Sequence, residues 1–243
     1  MKKGVVVFAS LALLLGCTGP VFAQFSTKAV ETRVIDTFDN VGENEWTWNV
    51  VTSNGVADGY PKFDYFDGQP NTLRVMNESP DEQHKVLGVQ VSYKRKGENW
   101  FEVYPMKDGE AYEIPLVGQV TMLDFWMWGA NYKYFIDVLI RDTQGRVYTL
   151  PAGSLFFNGW KNVIIDIPTH INQSTRMRSG PKQMTFVGFR VHTDPNEWVD
   201  DFTIFFDQLK FTTNIMKNIY DGYDLRYADF GEASGGAESS EGK

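Results

Sequence analysis

Cysteine is almost absent from this chain of 243 residues. The one that exists, Cys17, falls inside an N-terminal segment that reads as an export leader. Once that leader is removed by cleavage after Ala23, nucleophilic cysteines, thiolate zinc sites and C-x-x-C redox motifs are excluded together. An exported chain of this length also needs no disulfides, because it buries a sizeable core unaided. Histidine is scarce too: His84, His170 and His192 are the only three, and none lies within metal-ligand spacing of another. The G-x-S-x-G, H-E-x-x-H and P-loop patterns are missing. The 31 acidic residues guarantee chance carboxylate pairs, but no clustered E-x-D-x-x-E pattern suggests the positioned pair of a glycoside hydrolase. The sequence therefore predicts a protein that is not an enzyme.

Positive charge is in deficit, with 23 basic residues against 31 acidic and a net charge of −8. Cleavage removes Lys2 and Lys3 and deepens that deficit. A phosphate-binding surface needs concentrated positive charge, so nucleic acid is not expected as a partner. Residues 1–23 form the predicted signal peptide. Lys2 and Lys3 make its basic start and Val5 to Leu15 its apolar run, with Val21 and Ala23 at the positions a signal peptidase reads. That run is far short of the roughly 20 residues needed to span a bilayer, so membrane contact is expected only during export. "LLGC" offers acylation at Cys17 as the competing route, and either route exports the chain.

What the sequence has in abundance is short apolar runs separated by Gly, Pro, Asn and Asp. With 42% apolar and 15% aromatic residues it is a globular chain. No amphipathic helix of several turns and no internal repeat interrupts these runs. The predicted fold is an all-β, antiparallel two-sheet sandwich over residues 24–213. Residues 214–243 form a C-terminal extension ending in the acidic, polar tail "GEASGGAESSEGK", expected to be disordered.

Side chains alternate across a strand, so faces can be read directly. In "TMLDFWMW", Leu123, Phe125 and Met127 share one face and are assigned to the core; Asp124, Trp126 and Trp128 share the other. In "KYFIDVLIR", Tyr134, Ile136, Val138 and Ile140 form an apolar row. Lys133, Phe135, Asp137, Leu139 and Arg141 oppose it, a mixture suited to a solvated or partner-covered face. The two strands are expected to pair as a hairpin. Trp126 and Trp128 either pack beneath a loop or stand exposed, as a sugar-stacking platform or a protein interface. Trp46 and Trp48 repeat the same i, i+2 arrangement. Lys94, Arg95 and Lys96 form a basic turn, either simply solvated or facing an acidic neighbour.

His192 and Arg190 are placed opposite Val187, Phe189 and Val191, at the surface. Asp207, in "FTIFFDQLKF", is read as sharing a face with Phe205, Leu209 and Phe211. A carboxylate in an apolar row needs hydrogen bonds or a cation. Arg33, Arg190 or a backbone turn would serve; so would a structural calcium shared with Asp39 or Asp36.

Four motifs, in this order and spacing, carry a family resemblance: "W-G-x-N-Y-x-Y" (Trp128–Tyr134), "D-x-x-G" (Asp142–Gly145), "F-x-G-W-K" (Phe157–Lys161) and "F-F-D-Q-L" (Phe205–Leu209). Together with "VIDTFD" and "WTW" further upstream, the chain from Val30 to Phe211 resembles the spirochaete flagellar filament outer-layer (sheath) protein family, FlaA. The resemblance implies a jelly-roll, galactose-binding-like sandwich in the periplasm, coating a flagellin core beside other sheath subunits. It implies no catalytic residues and no cofactor. The rival reading is an exported carbohydrate-binding module that uses its exposed Trp.

Overall fold

In the computed structural model, residues 29–76, 83–175 and 183–215 are described. The leader with Cys17 and Ala23, and the tail beyond Ile215, lie outside them. Among the described residues, thirteen strands and one short helix follow in order. They are β1 (Val30–Asp36), β2 (Thr47–Thr52), β3 (Lys62–Asp67), α1 (Asn71–Met76), β4 (Lys85–Val91), β5 (Trp100–Lys107) and β6 (Glu110–Ala111). Then come β7 (Ile114–Leu116), β8 (Gln119–Ala130), β9 (Tyr134–Arg141), β10 (Val147–Ser154), β11 (Asn158–Asp166), β12 (Met184–Thr193) and β13 (Phe202–Asn214).

These strands form the antiparallel two-sheet sandwich expected from the turn-punctuated sequence. A six-stranded sheet runs β11-β8-β13-β4-β3, with β1 also on β13. A seven-stranded sheet runs β10-β9-β12-β5-β2, with β6 on β5 and β7 on β12. Leu123, Phe125 and Met127 are fully buried, as are Tyr134, Ile136, Val138 and Ile140. They belong to opposite sheets, so the expected β8–β9 hairpin does not form. The link Asn131–Lys133 instead crosses between layers. Asn131 takes a left-handed backbone (φ 64°), and the hydroxyls of Tyr132 and Tyr134 donate to the carbonyls of Asp200 and Trp198 at 2.9 and 3.0 Å. The true hairpin is β9–β10, where Asp142 Oδ1 accepts the backbone N–H groups of Gln144 and Arg146 at 2.9 and 2.8 Å.

Aromatic rings fill the space between the sheets. Phe189 of β12 stacks on Phe206 of β13 (4.7 Å between ring centres, 18° between planes) and meets Phe125 of β8 at 4.8 Å. Within its own sheet it contacts Phe186 at 5.2 Å and Trp48 at 6.1 Å.

Two bulges set which residues face this core. In β12 the register shifts between Phe186 and Gly188, so Val187 is the extra residue. Phe186 and Phe189 then both point inward, while Val187, Arg190 and His192 lie on the outer side; this corrects the placing of Val187 beside Phe189 and Val191. In β13 the register shifts after Asp207, with Gln208 at φ 51°. Asp207 therefore sits opposite Trp126, and Phe205 opposite Trp128, outside the inward row of Leu209 and Phe211.

Gly188 makes the β12 bulge sterically feasible, since a Cβ there would lie 2.6 Å from the Val103 carbonyl oxygen and 3.1 Å from Tyr104 Cβ. A backbone oxygen cannot move aside cheaply, and overpacking of this kind typically costs about 1–3 kcal/mol. Gly188→Ala should lower the urea unfolding free energy by that amount; an unchanged midpoint would show that the bulge tolerates a side chain.

Candidate functional site

The two outer faces of the sandwich carry different chemistry. On the six-stranded sheet, cross-strand neighbours form an aromatic ladder: Trp160 of β11 opposite Trp128 of β8, and Trp128 opposite Phe205 of β13. Trp128 and Phe205 meet edge-on at 5.6 Å, and Phe205 meets Phe66 of β3 at 5.8 Å. The rung between them on β4 is Gly88, opposite Phe205. Its missing side chain lets both phenyl rings close over the backbone, since a Cβ would come within 2.6–2.7 Å of Phe66 and Phe205. Phe66 is 50% exposed and Phe63 40%. Hollows of about 450 and 260 Å³ flank the ladder.

Trp126 and Trp128 thus lie half-buried on this outer face. Trp48 does not belong with them. It is core, 4% exposed, and its indole N–H donates to Asp36 Oδ2 at 2.8 Å, so it is withdrawn as an interface residue. Trp46, half-buried, packs edge-on against Trp48 at 5.1 Å. Lys94, Arg95 and Lys96 sit exposed in the β4–β5 loop. Lys94 pairs with Asp58 at 2.6 Å, and Lys96 lies 5.0 Å above the exposed Trp198 ring.

On the seven-stranded sheet the register builds two parallel rows across the strands. Ser154, Phe135, His192 and Trp100 are successive cross-strand partners on β10, β9, β12 and β5. Beside them run Pro151, Asp137, Arg190 and Glu102. Phe135 stacks on the His192 ring (5.4 Å, 22°), and the Arg190 guanidinium lies 5.7 Å from the centre of the Trp100 ring. Arg190 Nε donates to Glu102 at 2.7 Å, with a second bond from its Nη2 to the same oxygen. His192 Nδ1 lies 3.5 Å from Asp137 Oδ2. Burial raises the pKa of Asp137, against the opposing pull of His192 and Arg190. A groove of about 710 Å³ follows these rows from Trp100 to Phe135, and a second hollow of about 420 Å³ continues it to Ser154. The sequence showed that Phe135, Asp137, Arg190 and His192 face outward, but not that the register aligns them, and Trp100 and Glu102 were not singled out.

The acids proposed as a calcium site are brought together by the pairing of β1 with β13. Asp207 is 3% exposed. Its pKa is pushed up to about 8, chiefly by burial and then by the charge of Asp39, with Asp36 adding a little; the Gln208 backbone N–H and Lys210 pull the other way. Neither proposed arginine serves it, because Arg33 pairs with Glu31 and Arg190 with Glu102. Asp36 accepts the Phe38 N–H at 2.7 Å as well as the Trp48 indole. Asp39 Oδ1 accepts the Lys85 N–H at 2.9 Å and lies 3.2 Å from His84 Nδ1. Among the described residues no group of three or more His, Cys, Asp or Glu is placed to hold a metal. Both oxygens of Asp36 and Oδ1 of Asp39 thus already face N–H donors.

The fold and its faces define a β-sandwich whose distinctive chemistry is spread over two outer surfaces. The family described as "Flagellar filament outer layer protein Flaa" matches residues 23–220. The chain belongs to that family. A Brachyspira hyodysenteriae protein described as flagellar filament outer layer-like is 27% identical over 197 residues, covering 81% of this chain and 85% of its own. A Treponema pallidum flagellar filament outer layer protein is 27% identical over 138 residues, covering 54% of this chain but 38% of its own. Among solved structures, a family 11 carbohydrate-binding module of Clostridium thermocellum overlaps with a TM-score of 0.40 at 12% identity, covering 76% of this chain and 96% of the module. An overlap at that score carries no functional reading.

Asp207 gives this region a definite pH response. A carboxyl with a pKa of about 8 in the fold and 3.8 unfolded holds an extra proton in the native state between those values. Its stabilising contribution is complete below about pH 4 and is lost as pH rises toward about 8. Asp207→Asn mimics the protonated acid, so its melting temperature should fall less steeply than the parent's across that window; parallel curves would refute the assignment. A calcium-induced rise lost in Asp207→Asn would establish the metal reading, and curves unmoved by calcium or a chelator would remove it.

Proposed function

We propose that the chain is a structural subunit of the sheath that coats the flagellin core of a periplasmic flagellar filament, contributing to the filament's shape, stiffness and motility. The observation that carries this reading beyond family membership is the aromatic ladder of Trp160, Trp128, Phe205 and Phe66. It crosses the six-stranded sheet and leaves Phe66 half-exposed to solvent. Large rings rooted in a rigid sheet are the side chains that most often dominate protein–protein binding energy. A ladder several strands wide gives a sheath subunit one face with which to meet the flagellin core or its sheath neighbours. A net charge of −8 favours basic flanks on those partners. The role needs no catalysis. It needs heterologous contacts that repeat without closing, and delivery to the periplasm by the leader, cleaved after Ala23.

The test is co-sedimentation of the purified protein with filaments stripped of their sheath. Trp128→Ala combined with Phe66→Ser should weaken binding about 30-fold, the effect of losing roughly 2 kcal/mol at a hot spot, while the thermal melt stays cooperative. Parental binding by that folded variant would remove the ladder from the interface. Failure of the parent itself to sediment with filaments would sink the sheath reading.

A further inference from the structure

We propose that the groove on the outer face of the seven-stranded sheet is a binding site for an uncharged oligosaccharide lying across the strands, with Trp100 and Phe135 as stacking platforms and Asp137, Arg190 and Glu102 as hydroxyl partners. This assignment is independent of the sheath reading, which rests on the opposite sheet.

A pyranose ring has an apolar face of C–H groups and an edge of hydroxyls that both donate and accept. It is held by an aromatic ring beneath and planar polar side chains alongside. The two rows supply that pairing in register. Trp100, 36% exposed, and Phe135, 40% exposed, flank His192 in one row. Adjacent strands lie about 4.8 Å apart, so these two platforms stand about 10 Å apart across β12, roughly the length of a disaccharide. The neighbouring row offers two carboxylates and a guanidinium. The Arg190–Glu102 pair and the stacking of His192 on Phe135 fix these groups in place before any ligand arrives, which limits the ordering cost of binding. The hollow beyond Phe135, reaching Ser154, extends the track by a further strand.

Charge decides against other occupants. Glu98, Glu102, Asp137 and Asp194 outnumber Arg190 and His192 in and around the groove, so phosphates and uronic acids are repelled. The site lies on a sheet face whose strands are already paired, so it offers no free edge to which a peptide strand could be added.

The experiment uses the purified mature protein and titrates cellotetraose, mannotetraose and galactotetraose as neutral probes and a tetragalacturonate as the acidic probe, following tryptophan fluorescence and calorimetry. Binding to intact filaments is measured in parallel, before and after periodate oxidation of their vicinal diols. At least one neutral probe should bind, and Trp100→Ala and Arg190→Gln should each weaken it at least tenfold. Val34→Ala, on the other sheet, should not. A free saccharide ligand predicts that periodate leaves filament binding intact; a saccharide attached to a filament component predicts that periodate weakens it in the parent but not in Trp100→Ala. Preference for the acidic probe overturns the proposal. So do parental affinity in both groove variants, or no neutral probe bound together with filament binding insensitive to periodate.

Discussion

The stack of Phe189 on Phe206 is the contact on which the rest of the sandwich depends. It joins the two sheets near the middle of the core, and Phe125, Phe186 and Trp48 gather round the same ring. A buried aromatic contributes roughly 2–3 kcal/mol through the area it removes from water, and specific ring geometry adds to that. Its larger effect is on direction. Once Phe189 is committed inward, alternation sends Arg190 outward and Val191 inward, and His192 outward again. The hydrophobic demand of the core thereby fixes which polar groups line the groove on the far side of the sheet.

The same logic separates the two outer faces. On the six-stranded sheet, inward commitment of Leu123, Phe125 and Met127 leaves Trp126 and Trp128 outside, and β13 and β3 bring further rings alongside. On the seven-stranded sheet, inward commitment of Tyr134, Ile136, Val138 and Ile140 leaves Phe135 and Asp137 outside, next to His192 and Arg190. One face is dominated by rings that pack on one another; the other alternates rings with paired charges. The proposed sheath role would give the chain reason to differentiate its faces in this way. A surface that seats on protein favours large apolar anchors, while a surface that recognises sugars favours hydrogen-bonding groups held rigid beside flat rings.

Much of this was legible in the sequence, and the failures have specific causes. Alternation in 122–130 and 134–141 is uninterrupted by bulges, so both inward rows and both outward rows could be read correctly. Sheet membership could not. The three-residue link between β8 and β9 looks like a hairpin turn, and what diverts it is the anchoring of Tyr132 and Tyr134 to carbonyls near residue 200. Trp48 resembled Trp128 by spacing alone; its burial follows from the acceptor that Asp36 provides twelve residues upstream. The groove depends on which residue of β5 faces which residue of β12, and register across so long a separation leaves no local trace.

Bulges were the deeper obstacle: the one in β12 misplaced Val187 although Phe189 to His192 were read correctly, and the one in β13 put Asp207 wrongly beside Leu209 and Phe211. Straight alternation from Phe186 would carry Arg190 and His192 into the core and turn Phe189 and Val191 toward solvent. One extra residue at Val187, admitted because Gly188 has no Cβ to strike the Val103 carbonyl, reverses both outcomes together. In β13 the shift after Asp207 does the same, turning Leu209 and Phe211 inward and leaving Asp207 beside Trp126, between the end of β4 and the end of β1. Core and surface are therefore not independent designs in this molecule. A single inserted residue in β12 secures the central ring stack and presents the polar row of the groove, so a change that straightened that strand would disturb stability and surface chemistry in one step.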